Sequence, residues 1–220
     1  MIWSKVFNLR RVPRLRRRSV VPRLLEIQMY DAKIEEIYND EFFRVNEAEN
    51  RDAGAVCNLI LEEFHPESVV DLGCGEGSYL KYLKNSRVPG LLGIDGSAAA
   101  IRCAPDDILV ICYDLRKPLV LNLVFDVVIC LEVAEHLDER YADILVENIC
   151  KAGRTIVFSG ATPGQTGTDH RNEQPNEYWI AKFQTKGFRL HPSSAAWRAT
   201  LTASQMYAWW ISKNMMVFSK

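Results

Sequence analysis

No apolar run in this chain approaches the roughly 20 residues needed to span a bilayer, and its N-terminus lacks the apolar core of a secretory signal. No C-x-x-C pair occurs either. The six cysteines (Cys57, Cys74, Cys103, Cys112, Cys130 and Cys150) stand apart, most of them inside predicted strands or helices as small hydrophobes. That spacing excludes a disulfide framework and a cysteine-rich zinc site, and implies a reduced, cytoplasmic protein. Net charge is nearly absent at −1, which conceals an asymmetry. Residues 1–30 hold eight basic side chains (Lys5, Arg10, Arg11, Arg14, Arg16, Arg17, Arg18 and Arg23) against Glu26 alone, so the remainder carries a formal −8. An acidic body argues against a broad nucleic-acid-binding face. Internal repeats are missing too. A chain of 220 residues, 48% of them hydrophobic, makes one domain with appendages and can bury a proper core.

What is present is organised around Val69-Val70-Asp71-Leu72-Gly73-Cys74-Gly75-Glu76-Gly77-Ser78-Tyr79-Leu80. A short apolar run reads as a buried strand, three alternate glycines as a sharp turn, and Tyr79, Leu80, Tyr82 and Leu83 as a helix face. Such a turn lets a ligand approach the backbone, with N–H groups at the following helix start pointing towards it. The dinucleotide fingerprint G-x-G-x-x-G is absent. Asp71 ahead of the glycines would repel a pyrophosphate but suits a cationic amino or sulfonium group.

The pattern D-x-G-x-G-x-G, carried by Asp71, Gly73, Gly75 and Gly77, resembles the first motif of the class I S-adenosylmethionine (SAM) methyltransferases. The resemblance covers about residues 50 to 219. It implies SAM as cofactor and a Rossmann-like α/β fold: a doubly wound, mostly parallel seven-stranded sheet with an antiparallel last strand. The chain then divides into a basic arm (1–23) and a methyltransferase domain (24–220), with capping helices at 24–66, a helical insert at 191–213 and no second catalytic domain.

Pro13 and Pro22 interrupt the arm, which reads as a solvated segment or as an amphipathic contact for anionic lipid or RNA phosphates. Apolar spacing predicts helices from Leu24 to about Tyr38 and from Asp52 to Phe64. Arg51 stands where some members of the resembling family place an arginine on the SAM carboxylate, or else is an exposed capping charge. Strands are predicted at Ser68–Leu72, Leu91–Asp95, Ile108–Cys112, Phe125–Leu131 and Arg154–Ser159, alternating with helices as in doubly wound sheets. Asp95 ends the second strand, 22 residues after Gly73, where a carboxylate can accept both ribose hydroxyls. Its alternative is a helix N-cap. Gly96 leaves room for the adenosine. The resemblance places Asp114 at the adenine amino group, Leu115 against the ring and Leu131 beside the methionine part; Asp114 reads equally well as a turn residue.

The second strong motif is Glu132-Val133-Ala134-Glu135-His136-Leu137, at the end of the fourth strand, with His170 in a polar loop from Gly160 to Pro175. Ligands of open α/β sheets bind at the carboxyl ends of the strands, so these four side chains should cluster. Glu135, His136 and His170 are the candidate catalytic acid–base groups. Glu132, Glu135, His136 and His170 together form a credible ligand set for Mg²⁺ or Mn²⁺. The set resembles ubiquinone-biosynthesis O-methyltransferases and small-RNA 3′-terminal 2′-O-methyltransferases, but the His-rich stretch and RNA-binding domain of the latter are missing. His136 alone reads as a base or a hydrogen-bonded structural group. Tyr178 and Trp179 line the acceptor pocket or belong to the core.

The sequence therefore points to SAM-dependent O-methylation of a small-molecule acceptor such as a sugar, phenol or natural-product hydroxyl. Metal-assisted RNA 2′-O-methylation, lipid or quinone methylation at a membrane surface reached through the arm, and a non-catalytic SAM-binding module are the alternatives. Acceptor identity and oligomeric state are not legible in it.

Overall fold

The computed structural model describes residues 32–45 and 52–220. The arm, Arg51 and the first part of the helix expected from Leu24 lie outside the described residues. Two short helices, α1 (Ala32–Ile37) and α2 (Asp40–Val45), come first, then α3 (Ala53–Phe64), β1 (Ser68–Leu72), α4 (Ser78–Asn85), β2 (Gly90–Asp95), α5 (Ala98–Cys103) and β3 (Val110–Cys112). After β4 (Phe125–Cys130) the chain continues through α6 (Ala142–Ala152), β5 (Gly153–Phe158), α7 (Asn176–Thr185), β6 (Arg189–Leu190), α8 (Ser193–Ala203), α9 (Trp209–Asn214) and β7 (Met216–Ser219). No helix of the described residues is long and apolar enough to cross a membrane.

The seven strands form one sheet in the order β3-β2-β1-β4-β5-β7-β6. β1 to β5 pair in parallel, whereas β7 runs antiparallel to both β5 and β6. The expected doubly wound sheet with its antiparallel last strand is therefore what the chain forms. Period-two alternation sorts the strand residues onto two cores. Val70, Leu72, Val128, Ile156 and Phe158 pack with Leu145, Ile149, Trp179 and Phe183 of α6 and α7. Val69, Val127, Ile129, Val157 and Val217 pack on the other face with Val56, Ile60, Leu83, Trp197 and Leu201 of α3, α4 and α8. The insert expected at 191–213 is thus two helices, the first of which covers the sheet.

Boundaries differ where local hydrogen bonds compete with the apolar pattern. β3 starts at Val110 rather than Ile108, because the Ile108 N–H turns back to the Pro105 carbonyl at 3.0 Å. The helix expected from Asp138 opens as a tight 3₁₀ turn, Glu139–Tyr141, before α6.

The order reverses between β1 and β4, which pair directly. Segments leaving β1 and β4 turn to opposite faces of the sheet there, and the crevice expected at such a switch point lies at its carboxyl end. Both sequence motifs lie on its rim.

Candidate functional site

The glycine turn is built by backbone constraint. Gly73, Gly75 and Gly77 all have positive φ (82°, 51° and 81°), a region costly for side chains. At Gly73 a second constraint applies: a Cβ would lie 2.3 Å from Val133 Cγ2, so the turn after β1 packs directly on the turn after β4. The Gly73 and Cys74 N–H groups bond the Ile94 carbonyl at 2.7 and 3.1 Å. Asp95 accepts the Gly75 N–H at 2.8 Å through Oδ2 and the Ser97 N–H at 2.8 Å through Oδ1. The N-cap of α5 is Ser97, whose Oγ accepts from Ala99 and Ala100. Asp95 instead bridges the glycine turn to β2. Burial raises its pKa, and the surrounding N–H groups oppose that shift.

Asp71 is 2% exposed and its Oδ2 has no hydrogen-bond partner. Burial, with Asp95 adding to it, pushes its carboxyl up to about 8. A buried carboxyl oxygen without a donor is costly, and a cationic group arriving in the crevice would relieve it. The donor set thus fits a nucleoside carrying a positive charge.

Asp114 sits at the next strand end. Burial opposes its ionisation, but Arg116 and Lys117 hold it below the usual carboxylate range. Its Oδ1 accepts the Arg116 backbone N–H at 3.0 Å and the guanidinium Nε at 2.8 Å, the turn role read from sequence as the alternative. Leu115 is buried in the core below it, and Leu131 in the opposite core. Buried Asn148 fixes this loop by accepting the Leu119 N–H at 2.7 Å and donating to the Leu115 and Lys117 carbonyls.

At the end of β4, Glu132 is held at φ 53°, a strained position for a non-glycine residue. A 3₁₀ turn, Ala134–His136, then carries Glu135 and His136 inward. Donor atoms of Glu135, His136 and His170 lie within 4.8 Å of one another, so the structure brings these three together. Glu135 is 1% exposed, with both oxygens unpartnered, and His136 Nδ1 is unpartnered as well. Glu132, expected as a fourth metal ligand, lies beside Glu135 but outside this group of three: its Oε1 accepts the Ser159 hydroxyl at 2.6 Å and its Oε2 the Gln165 amide at 3.3 Å. Burial raises the pKa of Glu135 strongly and neighbouring Glu132 adds to it. Burial, with His170 adding, lowers His136 to about 4, so its imidazole is neutral at physiological pH. One carboxylate and two imidazoles with open donor atoms fit a divalent cation.

Trp179 is fully buried in the core, whereas Tyr178 is half-buried and reaches Glu139 at 3.3 Å. Two residues that the sequence did not single out border the crevice. Tyr38 lays its ring edge-on to His136 (centroids 5.6 Å apart), with a buried, unpartnered hydroxyl. Glu35 accepts the Ala98 N–H at the start of α5. The Tyr38 carbonyl accepts the Ser97 hydroxyl at 2.7 Å, and Ile34 Cδ1 stands 3.4 Å from the position of a Cβ on Gly96. The segment from α1 to α2 is therefore clasped over the turn between β2 and α5. In sequence Tyr38 reads only as one more apolar helix position, and nothing local distinguishes it.

Residues 44–197 match a family model described as a methyltransferase domain. Among solved structures, an amino pentose methyltransferase of calicheamicin biosynthesis from Micromonospora echinaspora, bound to SAM, is 16% identical, with 87% of this chain and 98% of that chain covered and a TM-score of 0.59. A sugar N-methyltransferase from Streptoalloteichus is 18% identical over 74% of this chain and 89% of that one, at TM-score 0.57. Magnesium protoporphyrin IX methyltransferase from Synechocystis, bound to S-adenosylhomocysteine (SAH), is 18% identical over 74% and 80%, at 0.54. At these identities the likeness is one of fold.

Proposed function

This chain belongs to the methyltransferase-domain family, and we propose that it transfers the methyl group of SAM to a hydroxyl of a small polar acceptor. The observation that carries the reading is the cluster of buried Glu135 with half-buried His136 and His170 after β4, whose Glu135 carboxyl oxygens have no hydrogen-bond partner. SAM supplies an electrophilic methyl on a cationic sulfur. Asp71 and Asp95 hold its amino group and ribose, and the backbone of the glycine turn, pinned by Asp95 and Val133, fixes its depth in the crevice. The Glu135 carboxyl holds a neighbouring polar group of the acceptor, so that the reacting hydroxyl donates to His170 and aims its lone pair at the methyl carbon. As the new C–O bond forms and the sulfur keeps the broken bond's electrons, the hydroxyl proton passes to His170. Neutral His136 shapes the wall beside it.

Glu135→Gln should reduce methyl transfer by about a hundredfold or more while leaving SAM affinity intact. The assay follows label from methyl-labelled SAM into a panel of sugars, phenols and amines. A Glu135→Gln enzyme of undiminished turnover, or label found only on amine nitrogen, would refute the assignment.

A second reading is favoured by the donor chemistry of the same three residues. Glu135, His136 and His170 would hold a divalent cation, which supplies ionisation of the acceptor hydroxyl by lowering its pKa. Two nitrogens and one oxygen suit Mn²⁺, Fe²⁺ or Zn²⁺ better than Mg²⁺. Metal analysis of the purified protein, and activity after chelator treatment, decide between the two.

A further inference from the structure

Glu173 lies in the loop between β5 and α7 and has no part in the cluster just described, yet that loop folds around it. Its Oε2 accepts the Gly164 N–H at 2.7 Å, and its Oε1 accepts the Thr166 N–H at 2.8 Å. The same Oε1 lies 2.8 Å from His170 Nδ1. Both side chains are largely shielded, His170 12% and Glu173 20% exposed. The intervening backbone is strained: Thr166 and Asp169 have φ of 58° and 55°. Gly167 is tight as well, since a Cβ there would lie 2.2 Å from His170 Nε2. Strain of this kind persists only where surrounding contacts over-determine it. The loop is also tied to the other half of the site, because the Glu135 carbonyl accepts the Arg171 and Asn172 N–H groups at 2.8 and 3.0 Å.

We propose that Glu173 is the positioning residue of His170, holding its imidazole with the proton on Nδ1 so that Nε2 is the bare nitrogen that takes the acceptor's proton. A carboxylate oxygen has no proton to give, so a 2.8 Å contact with it requires Nδ1 to be the donor. Neutral imidazole carries one N–H, which leaves the lone pair on Nε2. After transfer His170 is a cation, and Glu173 stabilises it across the same hydrogen bond. A carboxylate orienting a histidine through the nitrogen not in use is the arrangement that fixes tautomer in triads and metal sites alike. The inference rests on the methyl-transfer reading for the role of His170, but the tautomer is observable without any acceptor.

The test is nitrogen NMR of ¹⁵N-histidine-labelled full-length protein, with His170→Gln assigning the resonance among the four histidines. In the wild type His170 should report protonated Nδ1 and unprotonated Nε2. In Glu173→Leu and Glu173→Ala, which carry no acceptor, the Nδ1–H form should fall from nearly all of the population to a minority. SAH affinity, measured by calorimetry on the same samples, should stay unchanged. A wild-type His170 protonated on Nε2, or a tautomer unaltered in a folded Glu173 variant, overturns the proposal. Should Glu173→Ala not fold, the bulkier Leu variant carries the test. Absence of SAH binding by the wild type would instead count against the methyltransferase reading and leaves the tautomer result standing.

Discussion

Replacing Asp71 by Asn separates folding from cofactor binding, because the two want opposite states of the carboxyl. In the folded protein Asp71 is buried and titrates near 8, against 3.8 for an ordinary aspartate. Between those values the folded state holds a proton that the unfolded chain has released, so stability falls as pH rises from about 4 to about 8 and is flat above. At about 1.4 kcal/mol per pH unit the penalty at pH 7 is roughly 4 kcal/mol as an upper bound. Relaxation and entering water reduce it, so a gain of about 1–3 kcal/mol is expected for Asp71→Asn at pH 7. For a domain of this size that is a rise of roughly 3–8 °C in Tm. At pH 4.5 the gain should vanish. SAH binding should move the other way: without the charge its amino group loses a charge-assisted hydrogen bond worth about 1.5–3 kcal/mol, a loss of roughly 10- to 100-fold in affinity. Thermal unfolding from pH 4.5 to 9, with and without SAH, reads both effects. A variant whose stability profile runs parallel to that of the wild type, or that binds SAH equally well, would sink the reasoning.

Other substitutions follow from the same geometry. Gly73→Ala places a Cβ against Val133 at a positive φ, and calorimetry should show SAH binding lost together with about 2–4 kcal/mol of stability. Ser97→Ala removes the cap of α5 and the bond to the Tyr38 carbonyl; chemical unfolding should register about 1–2 kcal/mol, and SAH dissociation in stopped flow should quicken as the clasp loosens. Trp179→Ala empties a fully buried site in the core and should cost about 3–5 kcal/mol by denaturant titration, with SAH affinity retained in the folded fraction. Arg102→Ala, by contrast, breaks an exposed pair with Asp40 and should change Tm little.

Strands were legible because parallel strands buried on both faces are continuous apolar runs, and β1, β4 and β5 fall within a residue or two of the ranges expected from them. The glycine turn was legible for a related reason, since its positive φ angles admit few other residues. Side-chain direction after β4 was not. Glu132, Glu135 and His136 are neighbours in sequence, and spacing alone makes them equal candidates. The left-handed turn at Glu132 sends its carboxylate to Ser159 while the following 3₁₀ turn carries the other two inward. Glu173 stands three residues from His170, a spacing that hints at a pair, but the hint gains meaning only once the loop is seen folded around it.

The sequence by itself determined the parallel sheet, the order of its helices and the left-handed glycine turn after β1, because those follow from local pattern and backbone sterics. Tertiary structure alone decided which acids face the crevice, that Tyr38 covers His136 and that Glu173 grips His170. Those are contacts between segments far apart in the chain or on loops whose path the core dictates, and periodicity carries no record of them.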